Sequence, residues 1–412
     1  MSAFLTGHAS HPDWRMALAM AGAQIDAQQA AAEGSGAGPT TLGFVYLTDH
    51  YTAHARALLA ALRERWPGVA WVGGVGIGVA ASGVEYFDEP ALALMLAPLP
   101  AGRFEVFSGA RPLSRIDAFS ALVHADPSTP DLAELVVEMS DRTSSGYLFG
   151  GLVFGRSGAL HIADGVWEGG LSGVAFTSDV ALLSRVTQGC QPIGPVRRVT
   201  AAERNIVLAL DREPALPCLL RDLGLADLDD PRSAQPRLRA TLVGLSDENE
   251  PLVGRGGQFG TDTRVRHLVG LDPGRQAIAA ADEVRAGMRL AFCSRDMAAA
   301  RRDLVRICSE IREELEPQTL LPEPLDLQAG TAAARRALAA ETGAAARRIV
   351  GALYVSCSGR GGPHFGGPSA ELQIVRHALG DVPLVGFFAA GEIARHHIYG
   401  YTGVLTVFTS SA

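Results

Sequence analysis

The 412-residue sequence contains no lysine: all 36 of its basic residues are arginines. Schiff-base chemistry and the lysine of a P-loop are therefore excluded. Arginine is then the only fixed cation, which favours bidentate recognition wherever an anion is bound. Because the net charge is −8, the chain has no basic excess for a nucleic-acid backbone, and we expect no nucleic-acid partner.

Cysteine is also scarce, and long apolar runs and a leader are missing. The five cysteines are scattered and form no Cys-x-x-Cys motif, a pattern typical of a reducing compartment rather than of a zinc ribbon. The longest apolar run, at residues 91–100, is too short to span a bilayer. The first residues carry neither the charged nor the apolar segment of a signal peptide. We therefore expect a cytoplasmic protein with no membrane partner.

Strands and helices alternate along the chain in a repeating order. The hydrophobic spacing predicts a strand, a helix and a strand pair over residues 43–99, 121–177 and 351–408, with a weaker copy over 239–293. Two segments also end in similar letters, GLSGV before FTS and GYTGV before FTS. An old repeat explains this order, and chance likeness between glycine-rich hairpins is the alternative. The prediction is an α/β protein (α+β, with mixed sheets) of two related halves built from such repeats.

Composition divides the chain into three parts. Residues 1–40 are predicted to hold an N-terminal helix that begins at Ser10, residues 41–230 one α/β domain and residues 237–412 a second. The polar stretch DLDDPRSAQP between the two domains is the expected linker. The second domain carries an insertion at residues 296–347, made of an amphipathic helix, a proline-rich stretch and an alanine-rich helix.

One nucleotide-binding pattern is set aside. Residues 76–81, GIGVAA, match the G-x-G-x-x-A form of a dinucleotide site after a predicted strand. Such a site needs a helix immediately afterwards, because the helix amides hold the pyrophosphate. The next residues, SGVEYF, do not start a helix, so we expect no nucleotide site here.

The strongest local signal is the loop SCSGRGG at residues 356–362. It lies between a predicted strand and a helix, where α/β proteins bind ligands, and Arg360 offers a fork for a carboxylate or phosphate. The alternative is a tight connection that needs glycine, with Arg360 paired to an acid. Cys357 is a candidate nucleophile at this turn, but Val355 stands where a nucleophile elbow requires glycine. An inert buried thiol is the favoured interpretation of Cys357.

Glu392 and three histidines complete the candidates. Glu392 follows the apolar run 383–390, so it either caps a turn or faces a pocket. His396 and His397 are adjacent on an extended segment and are expected to point to opposite faces, so they cannot bind one metal from the same side. A single inward histidine would serve as a haem axial ligand, and the candidates are His161, His396 and His397.

These C-terminal motifs resemble those of the FIST family of sensory domains. The likeness spans nearly the whole chain after residue 40, and it is more specific in the C-terminal part than in the N-terminal part. Tyr399 departs from the family, because many members carry histidine there, and ARHH replaces a Gly-Pro-rich stretch. The stretches that carry the resemblance are residues 356–361, 365–366, 386–393 and 400–402, with looser matches at 189–194 and 203–205.

The resemblance implies a sensory protein that binds a small ligand, such as an amino acid or a similar carboxylate. It also implies a separate signalling partner, such as a histidine kinase or a cyclic-dinucleotide enzyme, because the sequence contains no output module. One branch of the family binds haem and senses nitric oxide. The residues expected to bind the ligand are Ser356, Cys357, Gly359, Arg360, Gly361, Phe388, Glu392, Tyr399 and Thr402.

We therefore expect a ligand-binding sensor with its pocket in or beside the C-terminal half, without catalytic residues and with no cofactor assigned. Arg360 and Glu392 are expected to meet at one cavity, because each follows a strand of the last repeat, and to read the two charged ends of an amino-acid-like ligand. Three alternatives stay open: a haem-based gas sensor, an enzyme that uses Cys357, and a scaffold without a ligand. Whether the chain forms a homodimer also stays open.

Overall fold

The computed structural model describes residues 3–32, 38–225, 231–248, 252–253, 259–260, 263–316 and 347–411. Within them the chain forms three six-stranded sheets and one larger antiparallel sheet, which confirms the predicted α/β class with mixed sheets. None of the helices in these ranges combines the length and apolar character needed to cross a membrane. The helices are α1 Trp14–Ala31, α2 Ala55–Arg65, α3 Leu132–Asp141, α4 Ala215–Asp222, α5 Pro231–Ala240, α6 Met297–Leu315 and α7 Ala370–Leu379.

The three main repeat segments share one topology. In each, the first strand runs parallel to the second, a helix connects them, and the last strand returns antiparallel on the other side of the first. This common order confirms the predicted repeat of a strand, a helix and two further strands, although the last two strands do not pair with each other. Repeat 1 consists of β2 Leu42–Thr48, α2, β3 Ala70–Gly76 and β6 Ala91–Ala97, repeat 2 of β8 Ser120–Ala125, α3, β9 Tyr147–Leu152 and β12 Leu171–Phe176, and repeat 3 of β22 Arg347–Cys357, α7, β23 Leu384–Ala389 and β26 Thr402–Ser411.

A hairpin leaves each repeat and joins the sheet of another repeat. The hairpin of repeat 1 pairs with β23, that of repeat 2 with β3, and that of repeat 3 with β9. The exchange closes a ring, so the three sheets have an approximate threefold arrangement. The hairpins are β4 Gly78–Ala81 with β5 Val84–Phe87, β10 His161–Ala163 with β11 Val166–Trp167, and β24 Glu392–Arg395 with β25 His397–Tyr399.

One further strand completes each of these sheets. It pairs antiparallel with the last strand of the repeat, on the side away from the hairpin. The three strands are β1 Leu5–Ser10 beside β6, β7 Phe104–Phe107 beside β12, and β13 Leu182–Gln188 beside β26.

A glycine in the second strand of each repeat allows the parallel strands to approach. A Cβ atom added at Gly73, Gly150 or Gly386 would lie 1.8, 1.9 or 1.7 Å from the carbonyl oxygen of the residue paired with it on the first strand. A side chain does not fit at such a distance, so only glycine is tolerated there. Because these glycines occupy equivalent positions, they define a common register for the residues of the three repeats.

The inner faces of the three sheets share one hydrophobic core. At its centre the Tyr46 ring stacks on Phe387 with the ring centroids 5.1 Å apart, and the Tyr46 hydroxyl is 3.1 Å from His124 Nε2. Burial in these apolar surroundings lowers the pKa of His124 to about 3. The histidine is therefore a neutral core residue.

The fourth sheet is formed by chain between repeats 2 and 3 and is antiparallel. The predicted weak copy over residues 239–293 is wrong, because its first two strands, Thr241–Ser246 and Arg264–Asp272, are antiparallel neighbours, whereas a repeat begins with two parallel strands. The strands of the fourth sheet are β14 Cys190–Pro192, β15 Arg197–Glu203, β16 Ile206–Leu210, β17 Glu213–Pro214, β18 Thr241–Ser246, β19 Arg264–Asp272, β20 Ala277–Ala280 and β21 Arg289–Arg295.

Two predicted elements differ from the structure. Ser10 ends strand β1, and the first helix begins only at Trp14, where the Asp13 side chain accepts a hydrogen bond from the Arg15 N–H. The two strands of the predicted strand pair in repeat 3, β23 and β26, flank β22 on its two sides and do not pair with each other. Sequence neighbours therefore do not pair here, because the hairpin β24–β25 between them joins another sheet.

The similar letters at the ends of repeats 2 and 3 align only in part. Phe176 and Phe408 face equivalent residues of the first strands, whereas Val174 and Val404 are offset by two positions. The FTS endings thus occupy equivalent positions in the two repeats, and the GLSGV and GYTGV starts do not. The rejected dinucleotide pattern lies where β3 runs directly into β4, without a helix, as predicted.

The predicted linker and insertion are described only in part. Of residues 227–236, the described part, 231–236, belongs to helix α5 and is not an extended linker. Within the predicted insertion, helix α6 is present, residues 317–346 lie outside the described residues, and Arg347 already belongs to β22. The division into two domains stays a prediction, and the sheet of repeat 3 contains strands from both sides of that boundary.

Candidate ligand-binding cleft

A cleft of about 1210 Å³ lies where repeats 2 and 3 meet the fourth sheet. Its floor is the chain that leaves β22 and β23, at residues 357–359 and 390–391. Its walls include the start of α3, residues 396–401, which contain strand β25, and residues 264–267 of β19. The C-terminal ends of parallel strands are where open α/β sheets bind ligands. The cleft therefore lies beside the loop to which the sequence analysis assigned the ligand.

Only part of the predicted ligand-binding set lines this cleft. Cys357, Gly359 and Tyr399 do so, although Cys357 is only 8% exposed. The others lie behind the surface, since they fill the interior between repeats; they are Ser356, Arg360, Gly361, Phe388, Glu392 and Thr402.

Arg360 is held in a buried ion pair with Glu371, and each of the two is only 1% exposed. The Arg360 Nε donates to Glu371 Oε1 at 2.9 Å, and Nη2 lies 2.7 Å from the same oxygen. Glu371 also accepts hydrogen bonds from the Tyr354 hydroxyl at 2.7 Å and from Ser356 Oγ. Arg360 therefore joins α7 to β22 and is not free to bind a carboxylate in the cleft.

Glu392 is fully buried and fixes the chain that forms one wall of the cleft. Its Oε2 accepts hydrogen bonds from the Thr402 N–H at 3.1 Å and from Thr402 Oγ1 at 2.6 Å. Burial raises the pKa of Glu392 to about 8, against the Thr402 hydrogen bonds and the charge of Arg360, which lower it. Among the described residues, Glu392 Oε1 and Arg360 Nη1 have no hydrogen-bond partner.

The expected meeting of Arg360 and Glu392 at one cavity is therefore not what the structure shows. Both side chains are buried, and neither is among the residues that line the cleft. Strand adjacency brings their charges close enough to act on each other, but Arg360 turns inward to Glu371. The physical reason is that an unpaired buried carboxylate on α7 would cost several kcal/mol, on the order of 3–5, and Arg360 is its partner.

Cys357 lies on the cleft floor in an environment that disfavours a thiolate. Burial raises the pKa of its thiol to about 12, and the charge of Glu392 adds to this effect. A nucleophilic cysteine needs a lowered pKa and a positive environment. Burial and the nearby Glu392 carboxylate thus oppose formation of the Cys357 thiolate.

Arg295 is the cation that stands beside the floor of the cleft. It lies at the end of β21, donates a hydrogen bond to the Gly359 carbonyl oxygen and is 3.2 Å from His364 Nδ1. Its guanidinium carbon is 5.3 Å from the centroid of the Tyr401 ring. Arg295 was not among the residues predicted from the sequence, although Arg295, like Arg360, is an arginine at a strand end before a helix.

Tyr401 forms the aromatic part of the wall and has an unusual backbone. Its φ is 62°, a left-handed value that is uncommon for an aromatic residue. Its hydroxyl lies 2.5 Å from His267 Nε2 on β19, and burial raises its pKa to about 12. Such backbone conformations persist where the surroundings hold them and often occur at ligand sites. The Glu392–Thr402 hydrogen bonds act on the residue next to Tyr401.

Arg266, on β19, ties the fourth sheet to the hairpin of repeat 3. Its Nη2 donates to the Ile398 carbonyl oxygen at 2.8 Å, and its Nε lies 3.0 Å from Asp282 Oδ2. This pairing joins two walls of the cleft that come from distant parts of the chain. No pattern in the sequence links residues 266 and 398, so sequence reasoning could not find it.

The histidine candidates for haem are separated by the structure. His161 is buried, with Nδ1 2.6 Å from Ser172 Oγ and Nε2 3.0 Å from the Gly169 carbonyl oxygen, so neither nitrogen is open for iron. His396 and His397 both line the cleft with ring centroids 4.0 Å apart. The expectation that they point to opposite faces is wrong, because the chain turns at Arg395, where φ is 55°. In the described part of the chain, no three His, Cys, Asp or Glu residues are grouped to hold a metal ion.

Comparison with known proteins gives consistent matches along the chain. Residues 41–213 match the FIST N domain and residues 215–395 the FIST C domain. An uncharacterized protein of Mycobacterium tuberculosis (strain ATCC 25618 / H37Rv) is 29% identical over 432 aligned positions, which cover 98% of both chains. An uncharacterized protein of Mycobacterium bovis is 29% identical over 420 positions, covering 93% of this chain and 96% of its own.

Proposed function

Since the chain belongs to the FIST family, whose domains are sensory domains of signal transduction, we propose that it binds its ligand in the cleft between α3, the β24–β25 hairpin and β19. The observation that carries this proposal is the place of the cleft. It lies at the C-terminal ends of two parallel strands, and both matched domains contribute to its walls. A ligand bound there contacts both domains, so binding is able to change how they are held together.

The ligand we propose is an amino acid or a similar small carboxylate. Arg295 replaces Arg360 as the residue that binds the carboxylate, because it stands at the cleft while Arg360 is buried with Glu371. Glu134, on α3, lines the same cleft and suits an ammonium group. Ile398, which also lines the cleft, supplies apolar surface for the rest of the molecule.

A calorimetric titration tests this assignment. The twenty amino acids and a set of short carboxylates are titrated into wild-type protein, Arg295→Gln and the control Arg302→Gln, which removes an exposed arginine on α6 away from the cleft. We expect Arg295→Gln to lose about tenfold or more in affinity, the value of a hydrogen-bonded charge pair, with an unchanged melting temperature. Equal affinities of the two variants for every ligand that binds would contradict the assignment.

We further propose that the ligand is bound and not turned over, that the protein acts in the cytoplasm, and that a separate histidine kinase or cyclic-dinucleotide enzyme receives the signal. The high pKa of Cys357 supports binding over catalysis. The haem alternative now rests on His396 and His397, since His161 is occupied. A Soret band after haem addition that disappears in His396→Ala or His397→Ala would favour the gas sensor instead.

A further inference from the structure

The ring of repeats places three equivalent positions between a hairpin and a helix. Ile398, Val166 and Glu85 occupy the same register, because each pairs with a hairpin residue that in turn pairs with one of the three register glycines. Each hairpin lies beside the helix of the sheet that it joins: α3, α2 and α7. The cleft described above is one of these positions, the one at Ile398.

The position at Glu85 is filled by the protein itself. The Glu85 side chain is buried, and its Oε1 accepts hydrogen bonds from the Gly362 N–H at 3.1 Å and the Ser369 N–H at 2.9 Å. A carboxylate therefore already sits between hairpin and helix in this repeat. The fold accommodates that chemical group at this place.

The position at Val166 is open. A cavity of about 240 Å³ lies there, between the start of α2 and the hairpin of repeat 2. Its apolar floor is Leu160 and Val166, both buried, and its rim carries Arg56 and Glu168. In the described part of the chain, neither Arg56 nor Glu168 makes a hydrogen bond or an ion pair, and they do not pair with each other.

We propose that this cavity is a second ligand site, which binds a small carboxylate through Arg56. Arg56 is the second residue of α2, the helix beside the open position at Val166. The second residue of α7, the helix beside the filled position at Glu85, is Glu371. The open position therefore has a cation where the filled position has an anion. An arginine fork above an apolar floor matches a carboxylate with a short apolar tail. Glu168, on the same rim, favours a ligand that also carries an ammonium group.

The size of the cavity separates this site from the main cleft. Its volume of about 240 Å³ is below the range of about 300–1,000 Å³ typical of pockets for drug-sized ligands. The main cleft, at about 1210 Å³, exceeds that range. The second site is thus limited to small molecules, and it goes beyond the function proposed for the cleft because it lies wholly within the FIST N domain.

Saturation-transfer NMR on the full chain tests the site. Acetate and glycine are the probes, each at a concentration of about 1 mM, which suits weak ligands. The variants are Arg56→Gln, Glu168→Gln, Arg295→Gln for the main cleft, and Arg302→Gln as the exposed control. We expect Arg56→Gln to weaken both probes by about tenfold or more. Glu168→Gln should weaken glycine and leave acetate unchanged, and Arg302→Gln should change neither.

Each outcome decides between the two sites. Loss of signal in Arg56→Gln but not in Arg295→Gln supports the second site and counts against the cleft proposal for these probes. Loss in Arg295→Gln alone places the probes in the main cleft and overturns the second site. Equal signals from Arg56→Gln and Arg302→Gln, or no signal with the wild-type protein, also overturn it. Melting temperatures of the four variants, all changed at side chains that face solvent or the cavities, show whether each is folded.

Discussion

Replacing Glu392 with glutamine removes an ionisable group from the interior beneath the cleft. Burial raises the pKa of Glu392 to about 8, from an ordinary value of 4.5. Between these values the folded protein holds a proton that the unfolded chain has released. The contribution of this proton to stability is complete below about pH 4.5 and is lost as the pH rises towards 8. Glutamine carries no such proton, so the variant lacks this pH dependence.

The magnitude follows from the width of the window. Each pH unit between 4.5 and about 8 changes the free energy of unfolding by about 1.4 kcal/mol for one proton. The wild-type protein should therefore lose on the order of 3–5 kcal/mol from this group between the two ends. The glutamine carbonyl oxygen still accepts the hydrogen bonds of the Thr402 N–H and Oγ1, so the wall of the cleft is preserved.

Urea unfolding at pH 5.5, 6.5, 7.5 and 8.5 measures the difference. Wild-type protein and Glu392→Gln should have similar stability at the lowest pH, and the variant should become the more stable one as the pH rises. Glu64→Gln, an exposed substitution on α2, is the control for general charge effects. The reasoning would be refuted if the difference in free energy of unfolding between Glu392→Gln and wild type stayed constant within about 0.5 kcal/mol over this pH range. A proton-linked contribution of several kcal/mol would change that difference by more than this amount.

Three further predictions concern the interior. Arg360→Met should lower the free energy of unfolding by about 3–5 kcal/mol, because it leaves the buried Glu371 carboxylate without its cation, and adding Glu371→Leu should restore part of the loss in calorimetry. Gly386→Ala should lower the free energy of unfolding by more than about 3 kcal/mol, because the new Cβ would lie 1.7 Å from a carbonyl oxygen. The control Gly109→Ala, with open space around it, should be nearly neutral. Equal melting temperatures of the two variants would contradict the register argument. Cys357, whose pKa is raised to about 12, should react with iodoacetamide at pH 7.5 far more slowly in the folded than in the urea-unfolded protein, and rapid labelling of the folded chain would revive the nucleophile hypothesis.

Several features of this protein follow from its sequence alone. The alternation of apolar strands and amphipathic helices over residues 43–99, 121–177 and 351–408 predicts the repeat, because strand and helix periodicities are local properties. The loop at residues 356–362 was recognised as the place where a strand ends in glycine, and the cleft lies against it. Because the sequence lacks lysine, any fixed cation at a ligand site is an arginine. Both proposed sites use one, Arg295 and Arg56.

The choice among the arginines was decided by the tertiary structure. Arg295 ends a strand, Arg360 comes just after one, and both precede a helix, so their local sequences do not distinguish them. Glu371 stands opposite Arg360 in the folded protein, and Arg360 lies in the interior because this buried carboxylate would otherwise have no cation beside it. Among the described residues Arg295 has no carboxylate partner, and it stays at the cleft, beside Tyr401.

The exchange of hairpins between repeats is likewise a property of the assembled fold. The strands β4, β10 and β24 each follow the second strand of their own repeat, yet each pairs with the sheet of another repeat. A local pattern predicts that a strand exists, but not which distant edge it will join. That choice depends on contacts between residues about 300 positions apart, such as Ser82 with Val382. The two proposed ligand sites lie at these exchanged hairpins, so their residues come together only when the ring of repeats closes.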